Sequence, residues 1–262
     1  QLLTLSSEVF AVIWSAKTGT ELLRLEGHSG IILDAAVFPD GLRALTCSED
    51  MTARIWNAQS GEIYVTLEGH TASVMLAQVV SDGKRVLTGS RDKTVRLWDS
   101  CAGKELFLLQ GHSSAVTKAA VFPDGRRVLT AGGDSTARIW DMETGTELLS
   151  LGVYRYKITV LKVLMDGKCV LTSFGQSEAQ IWDADTGKQL FGLNAFASNI
   201  TTASVFPDGV RVLLGSQFDA VASIWDAKKG TRLATLKGHT GNIWSADVFP
   251  DGLRMITGSD DR

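Results

Sequence analysis

Histidine, serine and aspartate recur together in this 262-residue chain, at spacings that could serve nucleophilic catalysis. Two complete sets are His28, Ser48 and Asp50, and then His70, Ser90 and Asp92. A serine activated by a histidine that an aspartate orients is the arrangement of a hydrolase triad. A triad is built once, however, where nucleophile, base and oxyanion hole converge on one point. A set that recurs along the chain therefore indicates a structural network rather than an active site.

A tryptophan follows each set and marks a repeat that runs through the whole chain. Trp14, Trp56, Trp98, Trp140, Trp182 and Trp225 lie 42 or 43 residues apart, whereas Trp244 lies off this grid. Asp-Gly pairs follow the same period, all four prolines directly precede such a pair, and all four histidines follow a glycine. A fixed period of this length indicates a repeat architecture.

Each unit of the repeat predicts four short strands. An apolar run such as residues 31–38 ends in Phe-Pro-Asp-Gly, and Asp-Gly between apolar segments is a strong hairpin signal. Residues 43–47 and 52–56 follow, the latter alternating and β-branched, and a fourth strand spans residues 63–67. No window has the 3.6-residue apolar period of a helix, so we expect no substantial helix.

Four strands per unit, preceded by Gly-His and ending in Trp-Asp, resemble the WD-repeat (β-transducin-like) family. Trp98-Asp99, Trp140-Asp141, Trp182-Asp183 and Trp225-Asp226 match the dipeptide, whereas Trp56-Asn57 and Trp14-Ser15 depart from it. The resemblance covers the whole chain and implies an all-β fold, a β-propeller of four-stranded antiparallel blades around a channel. Blades that pack face to face bury surfaces that one such sheet leaves exposed.

The strand count predicts a single domain over residues 1–262, with six units of about 42 residues and both ends inside a unit. In one interpretation, strands at residues 9–14 and 21–25 complete the C-terminal blade. That closes a ring of six, removes two exposed sheet edges and leaves about the first eight residues surplus. In the other, the chain is an arc of a longer array, because it begins at Gln1 and stops before an expected strand. The two interpretations are compatible.

In the resembled family, the recurring polar residues form a buried hydrogen-bond tetrad that ties the strands of a blade together. The predicted tetrads are His28, Ser48, Asp50 and Trp56; His70, Ser90, Asp92 and Trp98; His112, Asp134 and Trp140, with Gly132 in place of serine; and His239, Ser259 and Asp261, completed by Trp14. The units of Trp182 and Trp225 have Tyr154, Gln176 and Phe196 at tetrad positions. We therefore expect these two blades to depend on apolar packing.

The resemblance also implies that one rim and the channel mouth bind partners. The copies differ most there, and divergence on a regular scaffold can encode specificity. The candidate partner-binding residues are Trp244, Leu33, Met75, Ile31, Arg91, Glu49, Lys157, Asn242, Phe218 and Asp260. Trp244 has no repeat role and is the foremost candidate, because tryptophan is frequent at interface hot spots. Alternatively, Trp244 packs on the rim and binds no partner, and Arg91 and Glu49 form a solvated ion pair between neighbouring loops.

Composition and motifs exclude several function classes. The hydrophobic fraction of 44% argues against wholesale disorder, and a net charge of −3 argues against a nucleic-acid surface. No apolar run approaches a membrane span, and the first residues lack the basic segment of a signal peptide. Cys47, Cys101 and Cys169 suit neither a disulfide framework nor a zinc motif. We therefore expect a reducing, cytoplasmic location, without cofactor or metal.

The predicted function is a non-catalytic scaffold that binds a protein or peptide through the rim and channel mouth of the propeller. The alternative is a sensor or regulatory repeat region cut from a larger signalling protein, whose nucleotide-hydrolysing or kinase module lies outside these residues. A hydrolase is the third possibility, because fold alone does not decide function. No once-only constellation of titratable residues favours it. The sequence identifies neither the partner nor the oligomeric state.

Overall fold

Short antiparallel strands joined by tight turns account for most of the described chain. The computed structural model describes residues 2–5, 9–153, 156–164, 167–174, 177–194 and 199–261. These residues form 25 strands and no helix. A helix able to cross a membrane is accordingly not found among them.

The strands form seven sheets, numbered here in chain order, and within each sheet neighbours in sequence pair with each other. Sheet 1 contains β1 (Leu2–Leu5), β2 (Phe10–Trp14) and β3 (Glu21–Glu26), and sheet 2 contains β4 (Ile32–Val37), β5 (Arg43–Ser48), β6 (Ala53–Asn57) and β7 (Ile63–Leu67). Sheet 3 contains β8 (Val74–Val79), β9 (Arg85–Ser90), β10 (Thr94–Asp99) and β11 (Glu105–Gln110). Sheet 4 contains β12 (Val116–Val121), β13 (Arg127–Gly132), β14 (Thr136–Asp141) and β15 (Glu147–Val153). Sheet 5 contains β16 (Ile158–Val163), β17 (Cys169–Phe174), β18 (Glu178–Asp183) and β19 (Gln189–Asn194). Sheet 6 contains β20 (Ile200–Val205), β21 (Arg211–Ser216), β22 (Val221–Asp226) and β23 (Thr231–Lys237). Sheet 7 contains β24 (Ile243–Val248) and β25 (Met255–Ser259).

The chain divides into two compact units, each of which is described by itself. The first unit consists of Gln1–Val121, Gly125–Asp134 and Trp140–Leu148. The second unit consists of Phe122–Asp124, Ser135–Ile139 and Leu149–Arg262. Sheets 1 to 3 belong to the first unit, and sheets 5 to 7 belong to the second. A single domain over residues 1–262 stays a prediction.

Asp-Gly turns join the first and second strands of the sheets, as the sequence predicts. In sheet 2, Gly41 has a φ of 67°, which glycine adopts without steric cost. Its N–H donates to the Phe38 carbonyl at 2.9 Å. One oxygen of Asp40 accepts the N–H groups of Leu42 and Arg43, at 2.8 and 3.2 Å. The aspartate thus satisfies the backbone of the turn, and the glycine supplies its left-handed conformation.

Apolar packing between consecutive sheets provides the core of each unit. In the first unit, Leu45 and Ile55 of sheet 2 share a buried cluster with Val74 and Trp98 of sheet 3. In the second, Leu171 and Ile181 of sheet 5 share a cluster with Val212 and Trp225 of sheet 6. Removal of these side chains from water is the main favourable contribution to folding. Trp98 and Trp225 therefore act as packing residues between consecutive sheets.

An arginine three residues after the turn aspartate connects consecutive sheets. Arg43 Nε donates to Asp40 at 2.8 Å, and its guanidinium carbon lies 4.0 Å from the centre of the Phe38 ring. Its Nη2 donates to the carbonyl of Gly83, in the turn of sheet 3, at 2.9 Å. Arg85 bonds the Gly125 carbonyl in the same way, at 2.7 Å. The arginine therefore anchors its own turn and the next turn.

The structure corrects one detail of the predicted blade closure. β2 pairs with β1 on one side and with β3 on the other. Sheet 7 contains β24 and β25, neither of which pairs with β2 among the described strands. β1 was expected to be surplus, yet Leu3 and Thr4 repeat the Leu45-Thr46 pattern of β5. The chain thus supplies its own second strand to β2 and β3.

Candidate functional site

A chain of hydrogen bonds links tryptophan, threonine, histidine and aspartate in sheet 2. Trp56 Nε1 donates to Thr46 Oγ1 at 2.7 Å, and the same hydroxyl lies 2.8 Å from His28 Nε2. His28 Nδ1 lies 2.7 Å from Asp50 Oδ2. The Asp50 carboxylate also accepts the hydroxyl and N–H of Thr52. All four side chains are largely buried, and the network connects strands β5 and β6 with the two loops that carry His28 and Asp50.

The same network recurs with nearly constant geometry. The histidine–aspartate distance is 2.7 Å for His70 and Asp92, 3.0 Å for His112 and Asp134, and 2.9 Å for His239 and Asp261. The matching histidine–threonine distance is 2.8 Å to Thr88, 2.9 Å to Thr130 and 2.8 Å to Thr257. All four histidines of the chain are thus engaged.

The hydroxyl in this network belongs to threonine, and the predicted serines lie elsewhere. Ser48 Oγ donates to the Gly30 carbonyl at 2.9 Å and accepts the Asp50 N–H at 3.1 Å. Ser90 makes the equivalent bonds with Ala72 and Asp92. Thr46 and Ser48 lie two residues apart, on the same face of β5. Their spacing in the sequence therefore could not decide which hydroxyl bonds the histidine and the tryptophan. The serine holds the turn that carries the aspartate.

The threonine was missed although its signal is present in the sequence. Thr4, Thr46, Thr88, Thr130 and Thr172 each precede a repeated tryptophan by ten residues. With threonine as the bridge, the network of sheet 4 is complete although Gly132 stands in place of the serine. Trp140 donates to Thr130 at 2.8 Å. Gly132 therefore leaves the chain of tryptophan, threonine, histidine and aspartate intact, and only the bonds that a serine side chain makes to the turn are missing.

The direction of the bonds determines the protonation of the histidine. Because the Asp50 carboxylate only accepts and the buried imidazole is neutral, His28 Nε2 accepts the Thr46 hydroxyl, which in turn accepts the Trp56 N–H. His28 Nδ1 then carries the ring proton and donates it to Asp50. Burial lowers the pKa of His28 and that of His70, which favours the same neutral form. The nitrogen that a general base would use is therefore already an acceptor.

The aspartates stay ionised despite their burial. Burial by itself would raise the pKa of Asp92, but donors from Thr94, His70 and Thr71 outweigh it and lower the pKa to about 2. The pKa of Asp50 is lowered for the same reasons. A carboxylate that accepts several N–H and O–H groups is stabilised in its charged form. Each network therefore joins a neutral imidazole to a fixed negative charge.

Two units differ from the pattern, as their sequences suggest, but their indoles still have polar partners. Trp182 donates to Thr172 at 2.8 Å. In sheet 6, Leu214 replaces the threonine, and Trp225 donates to Ser223 of its own strand at 2.8 Å. Each of these tryptophans therefore keeps one polar bond, in blades for which the sequence predicts reliance on apolar packing instead of the tetrad. Tyr154, Gln176 and Phe196 lie outside the described residues.

Trp14 does not complete the C-terminal tetrad. Its Nε1 donates to Thr4 at 2.6 Å, because β1 supplies the threonine within sheet 1. His239 and Asp261 instead form a pair with Thr257, while Ser259 accepts the N–H of Asp261 at 3.3 Å. The prediction that Trp14 joins His239, Ser259 and Asp261 is corrected accordingly.

The first strand of each of sheets 2 to 7 contains a β-bulge, and in sheets 2, 3 and 7 the bulge falls on a predicted partner-binding residue. The pairing register shifts at Leu33, Met75, Thr117, Thr159, Thr201 and Trp244. A bulge leaves one residue out of the ladder and redirects its side chain. Thr159 and Thr201 use this position to donate to carbonyls of the next sheet, at 3.0 and 2.6 Å. Leu33 and Met75 have no hydrogen-bond donor in their side chains and cannot make this bond.

Backbone bonds hold two further rim positions beside each bulge. The Glu49 N–H donates to the Ile31 carbonyl at 2.9 Å, and the Arg91 N–H donates to the Ser73 carbonyl at 2.9 Å. Ile31, Glu49 and Arg91 are exposed, whereas Leu33 and Met75 are half-buried. In the first unit, predicted partner-binding residues of sheets 2 and 3 therefore lie in loops that these backbone hydrogen bonds hold in place.

The second unit holds Asn242, Trp244 and Asp260 in the same arrangement. The Asp260 N–H donates to the Asn242 carbonyl at 3.2 Å, and Asn242 Nδ2 donates to Asp260 Oδ2 at 3.0 Å. Trp244 is 53% exposed. Lys157, also exposed, directly precedes β16. A large aromatic side chain therefore stands in solvent beside an amide and a carboxylate.

Phe218 does not occupy the position that spacing assigned to it. The N–H of Gln217, not of Phe218, bonds the Asn199 carbonyl, at 2.9 Å. Phe218 is the extra residue of this unit and is 67% exposed. It lies in the turn before Asp219, which accepts the Ser216 hydroxyl at 3.0 Å. Gln217 is therefore the true counterpart of Glu49.

The described residues offer little for metal or nucleophilic chemistry. Among them, no group of three or more histidine, cysteine, aspartate and glutamate side chains could hold a metal ion. Cys47 is buried, and burial raises the pKa of its thiol well above the usual value. Such a thiol is a poor nucleophile because its thiolate is disfavoured. The arrangement suits recognition by side chains better than bond breaking.

Comparison with known families agrees with this geometry. A family model described as "WD domain, G-beta repeat" matches residues 19–57, 61–99, 103–141 and 230–262. These segments cover more than half of the chain. No curated protein matches the chain. Together with the four-stranded antiparallel sheets, the match confirms the predicted fold class, an all-β β-propeller of four-stranded blades.

Proposed function

Because the chain belongs to the WD40 repeat family, whose repeats generally mediate protein–protein interaction, we propose that it is a platform for a protein or peptide segment and catalyses no reaction. The observation that carries this proposal is the bulge in the first strand of each of sheets 2 to 7. At the bulge the sheets present leucine, methionine, threonine or tryptophan, while the tryptophan–threonine–histidine–aspartate network recurs in sheets 2 to 4. A recognition surface needs side chains that vary, held on a scaffold that does not.

The side chains at the bulges suggest what the partner offers. In the first unit, Leu33 and Met75 are apolar, and methionine adapts to irregular partner surfaces. Exposed Glu49 and Arg91 flank them with charges of opposite sign. In the second unit, Trp244 combines a large apolar surface with an N–H donor, as hot-spot residues do. We infer that the partner is a peptide segment with apolar anchors and polar flanks, and that neither nucleic acid nor a cofactor is required.

The bonding of the histidines supports the absence of catalysis. His28 Nε2 accepts from Thr46, a hydroxyl with no exposed surface. Ser48 bonds backbone atoms. A base and nucleophile that are both buried in a structural network cannot reach a substrate. We therefore expect binding without turnover.

Trp244→Ala tests the proposed site. Peptides selected from a random display library on the wild-type protein serve as probes. We expect Trp244→Ala to weaken their binding at least about tenfold, as loss of a hot spot does. Leu253→Ala is the matched control, because Leu253 is 82% exposed but lies in the turn after β24. Titration by isothermal calorimetry measures both variants.

Two results would contradict the proposed site. One is equal affinity of the selected peptides for wild type and Trp244→Ala. The other is an equal loss in Leu253→Ala, which would place binding outside the bulge. The alternative role, as a regulatory region of a larger signalling protein with a nucleotide-hydrolysing or kinase module, stays a prediction.

A further inference from the structure

Arg54 of β6 is a partly buried cation without a partner in the protein. Its side chain makes no hydrogen bond or ion pair with any residue in the described part of the chain, and its Nε is buried. A guanidinium presents five N–H donors in a planar fork. A charge that is shielded from water is unfavourable unless an anion pairs with it. The protein itself therefore leaves the charge of Arg54 uncompensated.

The next sheet shows which group fits such an arginine. Arg96 occupies the same position in sheet 3, and its Nη1 donates to the Glu105 carboxylate. Arg138 in sheet 4 likewise has a glutamate nine residues later. Of these three arginines, Arg54 is the one with an apolar residue, Ile63, at that place. The repeat thus provides this arginine with a carboxylate, and sheet 2 departs from that pattern.

Packing holds the two guanidinium groups in the same place. A Cβ added to Gly27 would lie 2.7 Å from Arg54 Nη1, and a Cβ added to Gly69 would lie 2.5 Å from Arg96 Nη1. Each glycine directly precedes the histidine of its own sheet. The Trp56 ring lies 3.3 Å from the same point beside Gly27. Arg54 is therefore already placed as Arg96 is, so a carboxylate can bind without rearrangement of the guanidinium.

The charge of Arg54 also reaches the polar network. Burial is the largest cause that lowers the pKa of His28, and the positive charge of Arg54 lowers it further. In sheet 3, burial again lowers the pKa of His70 most, but the charge of Glu105 opposes that of Arg96. The two sheets therefore differ in one local negative charge, which an anion bound at Arg54 would supply.

The surroundings of Arg54 favour a carboxylate on a protein segment. Ile63 is 43% exposed, and its Cδ1 lies 3.3 Å from the same point beside Gly27. An apolar side chain next to the acidic one can therefore cover Ile63. The net charge of −3 disfavours a polyanion such as nucleic acid. The planar fork of a guanidinium matches the two oxygens of a carboxylate.

We propose that Arg54 binds the carboxylate of an aspartate or glutamate side chain on a partner protein, with an apolar neighbour of that side chain covering Ile63. The bond reproduces, between two proteins, the one that Glu105 makes to Arg96 within sheet 3. In sheet 2, β6 and β7 lie on the far side of β5 from β4, which carries the bulge. The site is therefore separate from the bulge residues, and this proposal and the proposed function can fail independently.

Two short peptides test the proposal on the full chain: N-acetyl-Leu-Glu-Leu-amide and, as its control, N-acetyl-Leu-Gln-Leu-amide. The Nε–H resonance of Arg54, assigned by its loss in Arg54→Gln, reports binding in a nitrogen–proton NMR correlation spectrum. We expect a saturable shift with the glutamate peptide, with a Kd of about 1–10 mM. Binding of the glutamine peptide should be at least about fivefold weaker. Higher ionic strength should weaken binding of the glutamate peptide.

Variants at Ile63 provide the sharpest check, because they change the site without altering Arg54. Ile63→Glu supplies a carboxylate within the chain, as Glu105 does for Arg96, and should weaken peptide binding at least about tenfold. Ile63→Gln is the matched control of similar size without the charge, and it should bind the glutamate peptide within about threefold of wild type. Because Ile63 is exposed, neither replacement creates a buried polar group.

Four results would overturn the proposal. The first is no saturable shift of the Arg54 resonance up to about 20 mM glutamate peptide. The second is equal affinity for the two peptides. The third is unchanged peptide binding by Ile63→Glu. The fourth is tighter binding of inorganic phosphate than of the glutamate peptide at Arg54, because the anion would then belong to another chemical class.

Discussion

A threonine hydroxyl is the central atom of each polar network. It accepts from an indole and donates to an imidazole, so it is the one group that both neighbours need. Because Thr88 is fully buried, water cannot replace it. The side chains on either side would lose their partners together if the hydroxyl were removed.

Thr88→Val should therefore lower the free energy of unfolding by about 1–3 kcal/mol for each buried group left unsatisfied. Thr88→Ser keeps the hydroxyl and loses one methyl group, and should cost about 1 kcal/mol. Urea denaturation followed by circular dichroism measures both. Equal losses in the two variants would mean that packing, not hydrogen bonding, is what Thr88 contributes.

Strand pairing explains which parts of the site the sequence could predict. The period of tryptophan and Asp-Gly predicted the strands and the turns, and the resemblance to the family predicted the pairing of His28 with Asp50. The choice of Thr46 over Ser48 depends on how far each side chain lies from the imidazole, and both lie on one face. The 43-residue spacing shows that the unit of Trp225 has one extra residue. Which residue is the extra one, and where the bulges lie, depends on how two strands pair, so no single segment shows it.

The hydrogen bond from the arginine of one turn to a carbonyl of the next turn recurs along the chain. Sheet 5 has Leu164 and Cys169 at the positions of Phe38 and Arg43, since the Leu164 N–H donates to the Cys169 carbonyl as Phe38 does to Arg43. Neither residue can make the aromatic contact or the guanidinium bond. This type of connection is therefore not available to the turn of sheet 5.

Arg43→Met should lower the free energy of unfolding by about 1–3 kcal/mol, because a charged donor loses its bond to the Gly83 carbonyl. Arg254→Met is the matched control. Arg254 pairs with Asp251 and stacks on Phe249, but its side chain is mostly exposed. It should cost at most about 1 kcal/mol. If the two variants lose the same amount, the bond between turns contributes nothing measurable.

At the scale of the whole molecule, the repeated networks couple stability to pH. The folded pKa of His28 and of His70 lies below the unfolded value of 6.5. A lowered histidine pKa contributes stability above the unfolded value, and this contribution is lost as the pH falls below it. The lowered pKa of Asp92, about 2, acts in the same direction, from about 3.8 downward.

The free energy of unfolding should therefore begin to fall below about pH 6.5 and fall more steeply below about pH 4. Urea titrations at pH 7.5, 6, 5 and 4 would measure it. His70→Gln removes one titrating group, so its loss between pH 7.5 and 5 should be smaller than that of wild type. A free energy that is constant from pH 7.5 to 5 would contradict the neutral, buried state of these imidazoles.

The exposure of Trp244 gives the protein an optical signal of its own. Of its seven tryptophans, five are at most 7% exposed, Trp14 is half-buried against Thr4, and Trp244 is 53% exposed. A water-soluble quencher such as acrylamide would reach Trp244 first, and its emission would lie furthest to the red. A partner that covers the bulge would shift and protect that one component, so occupancy could be followed by fluorescence without any label.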